Sequence, residues 1–156
     1  MIYVFDTSSL RELQHFYPAV FRSIWNGLEA LVERNELIST REVWNELERQ
    51  NVSAEVLEWA KRNKQIFTKP NALELQFVSQ IFRVRHFQGL IGEQQRLKGT
   101  PIADPFVIAC AKVHNGTVVT EKRLKENAAK IPNVCAYFNV PCVGLEVFMQ
   151  QQGWSF

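Results

Sequence analysis

Residues 101–124 read PIADPFVIACAKVHNGTVVTEKRL. Asp104 is suited to an N-cap and Pro105 to the first helical position, and Phe106 to Ala111 is apolar on every side, which predicts a deeply packed helix. Asn115-Gly116 stops it. Thr117 to Val119 is then a short strand, and Thr120 is placed to cap another helix. A buried helix that feeds a buried strand is the repeating unit of a parallel sheet, because parallel neighbours require a crossover.

The same logic runs outward from this stretch. Near the N-terminus IYVFDTSSL (residues 2–10) is an apolar strand that ends on Asp6, with Thr7, Ser8 and Ser9 behind it. Ser9 with Glu12 makes a capping box for a short helix, and Phe21, Ile24, Trp25, Leu28, Leu31 and Val32 recur at helical spacing. ELIS supplies a strand at Leu37 and Ile38. Ser39 with Glu42 forms a second capping box, opening a helix through Val43, Trp44 and Leu47. Ser53 caps the next helix, and Ile66 and Phe67 are briefly extended. Asn71 with Glu74 starts a helix carrying Leu73, Phe77, Val78, Ile81 and Phe82. Residues 88–102, loosened by Gly89, Gly92 and Gly99, read as a loop with one turn of helix at most. The last strand lies at Cys142 and Val143, before a closing helix. Alternating strands and helices predict an α/β fold: an open, mainly parallel sheet flanked by helices on both faces.

At 156 residues the chain reads as one domain, 1–156, large enough to bury about 70% of its unfolded surface. Its 46% hydrophobic and 22% charged residues fit a globular protein rather than a disordered or fibrous one. The first apolar run stops at Asp6, so neither a signal peptide nor a membrane span is expected, and a cytoplasmic address follows by default. Cys110, Cys135 and Cys142 lack a CxxC pairing and sit among apolar neighbours; buried reduced thiols are expected, with zinc binding or a disulfide the lesser alternative. Between Lys61 and Lys98 eight basic residues face only Glu74 and Glu93, leaving the remainder net acidic. That asymmetry points weakly to a polyanionic partner.

Functional groups in open α/β sheets gather at the carboxyl ends of the strands. Asp6 follows the first strand, Glu121 follows Val119, Asp104 opens the buried helix, and Glu46 lies one turn beyond Glu42 on the helix after the second strand. Each acid also has a structural explanation: Asp6 and Asp104 as caps, Glu121 against a helix dipole, Glu46 as a solvated residue. Glu42 is read as structural, through Ser39. Two carboxylates about 5 Å apart repel by about 3 kcal/mol at an effective dielectric near 20, so a cluster of four calls for a cation or for protons. No His or Cys lies inside these motifs, which favours Mg²⁺ or Mn²⁺ over Zn²⁺.

Asp6-Thr7-Ser8, the helical Glu of VWNELER, ADPFVIACA and the acid after TVVT together resemble the PIN domain, a metal-dependent nuclease fold found in toxins of toxin-antitoxin pairs and in RNA-processing enzymes. The likeness covers nearly the whole chain in order and spacing, through short motifs. It implies an α/β/α sandwich in which Asp6, Glu46 and Asp104 are the core metal ligands, with Ser8, or else Thr7, positioning a ligand or water. Glu121 stands where the family commonly has Asp, so its contact with metal is left open between direct and water-mediated. The resemblance further implies a ribonuclease preferring single strands and leaving 5′-phosphate and 3′-hydroxyl ends, with RNA as substrate and a cognate antitoxin as protein partner; apolar helix faces, if exposed, would be consistent with a homodimer.

Arg83, Arg85 and His86 of FRVRHF are candidates to guide the RNA backbone, with Phe82 or Phe87 for base stacking, although a solvated helix face and core aromatics explain them too. Lys112, two turns from Asp104, is a further candidate for a phosphate contact, and His15 and His114 are read as structural. Haloacid-dehalogenase phosphatases want a second Asp where Ser8 stands, and receiver domains want paired acids ahead of the strand end. The non-enzyme alternative is a PIN-like scaffold acting through protein binding, an idea kept open by Glu at position 121.

Overall fold

The computed structural model describes residues 1–91 and 102–155. Five strands form one parallel sheet: β1 (Tyr3–Phe5), β2 (Leu37–Thr40), β3 (Phe67–Thr68), β4 (Thr117–Val119) and β5 (Cys142–Val143), in the order β3-β2-β1-β4-β5. Tyr3 pairs with Leu37 on one side and with Thr117 on the other, and Ser39 and Val118 continue the ladders to Phe67 and Cys142. The chain first winds from the central β1 out to β3, then crosses back to β4 and continues to β5. With right-handed crossovers this reversal places helices on both faces and creates a switch point between β1 and β4.

The helices are α1 (Thr7–Glu12), α2 (Arg22–Glu33), α3 (Arg41–Arg49), α4 (Ala54–Arg62), α5 (Ala72–Arg83), α6 (Asp104–Val113), α7 (Ile131–Phe138) and α8 (Leu145–Gln151). None among the described residues is long and apolar enough to cross a membrane. α6 is the buried helix expected from its composition: Val107 to Ala111 are all inaccessible to solvent, and it packs on β1, β2, β4 and α5. Asn115 ends it in the left-handed region at φ 56°, as the Asn-Gly pair required. Phe148 of α8 closes the other part of the core, meeting Tyr3 and Phe5 edge-on with ring centroids 4.9 Å apart in both pairs. Behind it the Trp154 ring lies on Gly27 of α2, so closely that a Cβ there would fall 2.2 Å from an indole carbon.

Several local expectations shift. Asp6, not Ser9, caps α1, accepting from the Ser9 N–H, and Thr40, not Ser39, caps α3, accepting from the Val43 N–H. α6 begins at Asp104 itself, one residue earlier than expected, so that Ala103 occupies the cap position. Thr120 caps nothing; the chain turns without helix until Ile131. A 3₁₀ helix, Arg85–Leu90, extends into the expected 88–102 loop, whose middle, with Gly92, Glu93, Arg96, Lys98 and Gly99, lies outside the described residues. The Ser53 and Asn71 caps form as read, and all three cysteines are free thiols.

Because Phe148 is fully buried against three aromatic rings, Phe148→Ala should lower unfolding free energy by about 3–5 kcal/mol. Urea titration would show this as a lower midpoint with an unchanged slope.

Candidate active site

Three strand ends and the start of α6 converge at the switch point. Asp6 is 1% exposed. Its carboxylate accepts from the Ser8 hydroxyl (2.9 Å to each oxygen), from the Ser9 N–H (2.8 Å) and from the Thr120 hydroxyl (2.5 Å). The Ser9 hydroxyl lies within reach of the Asp6 and Val119 carbonyls, at 3.0 and 2.9 Å, so one proton ties the ends of β1 and β4 together. Burial pushes the Asp6 carboxyl above the usual carboxylate range, and the hydrogen bonds from Thr120, Ser9 and Ser8, with the charge of Lys122, only partly oppose that.

Glu46 stands half-buried on α3. One oxygen accepts from the Thr7 hydroxyl at 2.6 Å and the other from the Ala103 N–H at 2.9 Å. Glu46 therefore joins the residue after Asp6 to the residue before Asp104. Asp104, 6% exposed, makes no cap bond. Instead its Oδ2 accepts from Lys122 Nζ at 2.5 Å. Glu121 behaves differently. Its N–H donates to Ser8 Oγ at 3.0 Å, but its exposed side chain accepts from the Leu145 N–H at 2.8 Å, at the start of α8.

Asp6, Glu46 and Asp104 thus line one edge while Glu121 caps α8. No three of these acids bring carboxylate oxygens within 4.8 Å of one another. A cleft of about 340 Å³ opens beside the ends of β4 and β5, lined by Thr120, Glu121, Lys122 and Arg123 among others. Thr120, expected to cap a helix, and Lys122, which no local pattern singles out, both contact these acids, and their place just after a central strand is the signal that marks them.

The more distant candidates divide. Arg83, Arg85 and His86 are exposed, and none pairs with a carboxylate among the described residues. Phe87 is core, 4% exposed and edge-on to Tyr137 at 5.1 Å, so it is not free to stack on a base, and Phe82 packs half-buried against the same core. Lys112 is engaged elsewhere: its Nζ donates to the Phe138 carbonyl at 3.1 Å, at the end of α7.

A parallel five-stranded sheet in this order, covered by helices and carrying acids at its switch point, is a PIN-like α/β/α domain. The chain belongs to the family described as domain of unknown function (DUF4411), whose profile matches residues 3–156. Its structure is similar to that in the crystal structure of VapBC2 from Rickettsia felis bound to a DNA fragment from their promoter, with a TM-score of 0.51 at 16% identity, covering 92% of this chain and 97% of that one. It is also similar to PAE2754 from Pyrobaculum aerophilum, with a TM-score of 0.48 at 15% identity, covering 97% and 88%. No curated protein matches in sequence.

Since burial raises the Asp6 pKa, the folded state holds a proton that the unfolded chain gives up near the ordinary value of 3.8. Stability is therefore lost as pH rises from that value through the folded pKa. Asp6→Asn, which cannot ionise, should gain stability relative to the parent across that window. Denaturant titrations in chelator at a series of pH values would check it; a constant difference would contradict the raised pKa.

Proposed function

We propose that the chain is a divalent-metal-dependent endoribonuclease acting on single-stranded RNA, with Asp6, Glu46 and Asp104 holding the ion. The observation carrying this reading is that three carboxylates from separate segments share the edge where β1 and β4 diverge, with the Lys122 ammonium drawn in against one of them. That ammonium serves as a stand-in for a cation. The donor set is all oxygen, which suits a hard ion such as Mg²⁺ or Mn²⁺, one that keeps waters and binds through one or two carboxylates. When bound, such an ion supplies Lewis acidity to a phosphoryl oxygen and acidifies a water.

The protein's own part is positioning. Ser8, Ser9 and Thr120 hold the Asp6 carboxylate in one orientation, and Thr7 and Ala103 do the same for Glu46. Lys122, once released from Asp104, faces the phosphodiester, and the exposed Arg83, Arg85 and His86 add sequence-independent attraction for the backbone. Ser8 aligns the loop after β4 through the Glu121 N–H; Glu121 itself reaches an ion only by leaving Leu145. Products would carry 5′-phosphate and 3′-hydroxyl ends.

The likeness to VapBC2 supports a place in a toxin-antitoxin pair, with an antitoxin as protein partner. Large exposed apolar side chains such as Leu73, Leu75 and Tyr137 support a protein partner of that kind or a second copy of the chain. The rival reading, a catalytically weak scaffold, draws on the two engagements that withhold charge from the ion: Lys122 on Asp104 and Glu121 on Leu145.

Incubating the protein with labelled single-stranded RNA and Mn²⁺ should give cleavage that chelator abolishes and that Asp104→Asn reduces by at least about a hundredfold, the scale of losing one transition-state electrostatic contact. Cleavage that survives both treatments would sink the proposal. Mn²⁺ should also raise the melting temperature of the parent but not of Asp6→Asn, whereas a scaffold would show no such rise in either.

A further inference from the structure

A second group of ligand atoms lies away from the sheet edge. Cys110 lies on α6 and His114, four residues on, ends that helix with its N–H still bonded to the Cys110 carbonyl, so the two fall on one face. Glu74 comes from the start of α5, which packs along α6. One ligand atom from each of Glu74, Cys110 and His114 lies within 4.8 Å of the other two, and His114 Nε2 stands 3.3 Å from Glu74 Oε1. Nothing in the order of the sequence suggested this, because Glu74 and Cys110 are brought together only by the packing of two helices.

The other Glu74 oxygen is the independent sign. Glu74 is 2% exposed, yet its Oε2 has no hydrogen-bond partner. A carboxylate oxygen left unpaired in the interior is costly. Nearby Glu42 of α3, also buried and also with an unpartnered Oε2 although its other oxygen meets Arg41, adds like charge. Burial and that charge raise the Glu74 pKa, and the bond to His114 only partly opposes them. Burial together with Glu74 pushes the Cys110 thiol up to about 12. Without a cation, acidic groups here are held toward their protonated forms. His114, 39% exposed in its side chain, provides the way in from solvent.

We infer that Glu74, Cys110 and His114 form a binding site for a zinc-class divalent ion that ties α5 to α6. A carboxylate oxygen, a thiolate and an imidazole nitrogen are the donors that suit Zn²⁺, and the sulfur and nitrogen disfavour Mg²⁺. Binding releases the Cys110 S–H proton to solvent, and the thiolate sulfur donates its electron pair to the metal. Ten residues of α6 separate His114 from Asp104, about 15 Å of helical rise, so this site is distinct from the acidic edge and does not depend on the nuclease reading. Its consequence is structural: the ion would fix the helix that presents Asp104.

The test is titration of the full-length, chelator-treated protein with Co²⁺. The expected result is a thiolate-to-cobalt charge-transfer band in the near ultraviolet that saturates at one Co²⁺ per chain, disappears on adding Zn²⁺ and persists in Asp6→Asn. Cys110→Ser should abolish the band. His114→Ala, at a half-exposed position that leaves the core intact, should weaken Co²⁺ binding at least about tenfold. Absence of the band with excess Co²⁺, its survival in Cys110→Ser, or unchanged affinity in His114→Ala would each overturn the assignment. If Cys110→Ser fails to fold, the His114→Ala titration decides.

Discussion

A carboxylate buried at the tip of a central strand is tolerated only where donors surround it, and Asp6 sets that requirement for the whole sheet edge. The donors come from two sources. Ser8 and the Ser9 N–H arrive through the turn into α1, while Thr120 arrives from the end of β4, 114 residues away in sequence. Satisfying Asp6 therefore joins the first and fourth strands at their carboxyl ends, and the Ser9 hydroxyl reinforces the join through the Val119 carbonyl. Even so the Asp6 carboxyl stays above its ordinary pKa, because lost hydration outweighs three hydrogen bonds and one nearby ammonium. Asp6 thus carries a local cost while also capping α1, and it is that cost on which the proposed metal-binding role draws.

Glu46 and Lys122 extend that edge in opposite senses. Glu46 spends both oxygens on protein donors and so acts as a strut between β1 and α6. Lys122 brings charge from the loop after β4 onto Asp104, which would otherwise be a nearly buried anion at the first turn of α6. With a side chain 36% exposed, Lys122 has a path to solvent and a modest hold, since partly exposed ion pairs contribute about 1 kcal/mol or less. On the proposed reading an ammonium and a hard dication would compete for Asp104. The Glu74 cluster differs in kind: its sulfur and nitrogen donors and unpaired carboxylate oxygen suit a softer ion, so one helix, α6, would link two chemically distinct cation environments.

Capping shows how tertiary contacts redirect local rules. Ser9 and Glu12, and Ser39 and Glu42, have the spacing of capping boxes, yet neither box forms. Ser39 donates to the Phe5 carbonyl across the β1–β2 interface at 2.7 Å, and Thr40 takes over the cap. Ser9 is consumed by β1 and β4. At position 39 the hydroxyl takes a buried carbonyl across the strand interface and the cap moves by one residue, to Thr40; at position 9 the hydroxyl is engaged by the Asp6 and Val119 carbonyls and the cap falls to Asp6, three residues earlier.

The sequence by itself determined the sheet and the nature of its edge. The apolar runs at Tyr3–Phe5 and Thr117–Val119, the all-apolar α6 and the Asn115-Gly116 stop are local signals of strand, buried helix and turn, and their alternation leaves parallel pairing as the physical solution. Asp6 and Asp104 stood out as candidates for the same reason, one following a strand and the other opening a helix at a predictable end of the sheet, whereas Glu46, in the middle of α3, entered through its spacing from Glu42 and through the family resemblance. What the tertiary structure decided is where each side chain spends its hydrogen bonds. That Glu121 turns to Leu145, that Thr120 serves Asp6 rather than a helix, that Lys122 sits on Asp104, that Phe87 is core and that Glu74 finds Cys110 and His114 all depend on separations of a few ångströms between segments distant in the chain. Periodicity and capping patterns act over a few residues and carry no information about such distances.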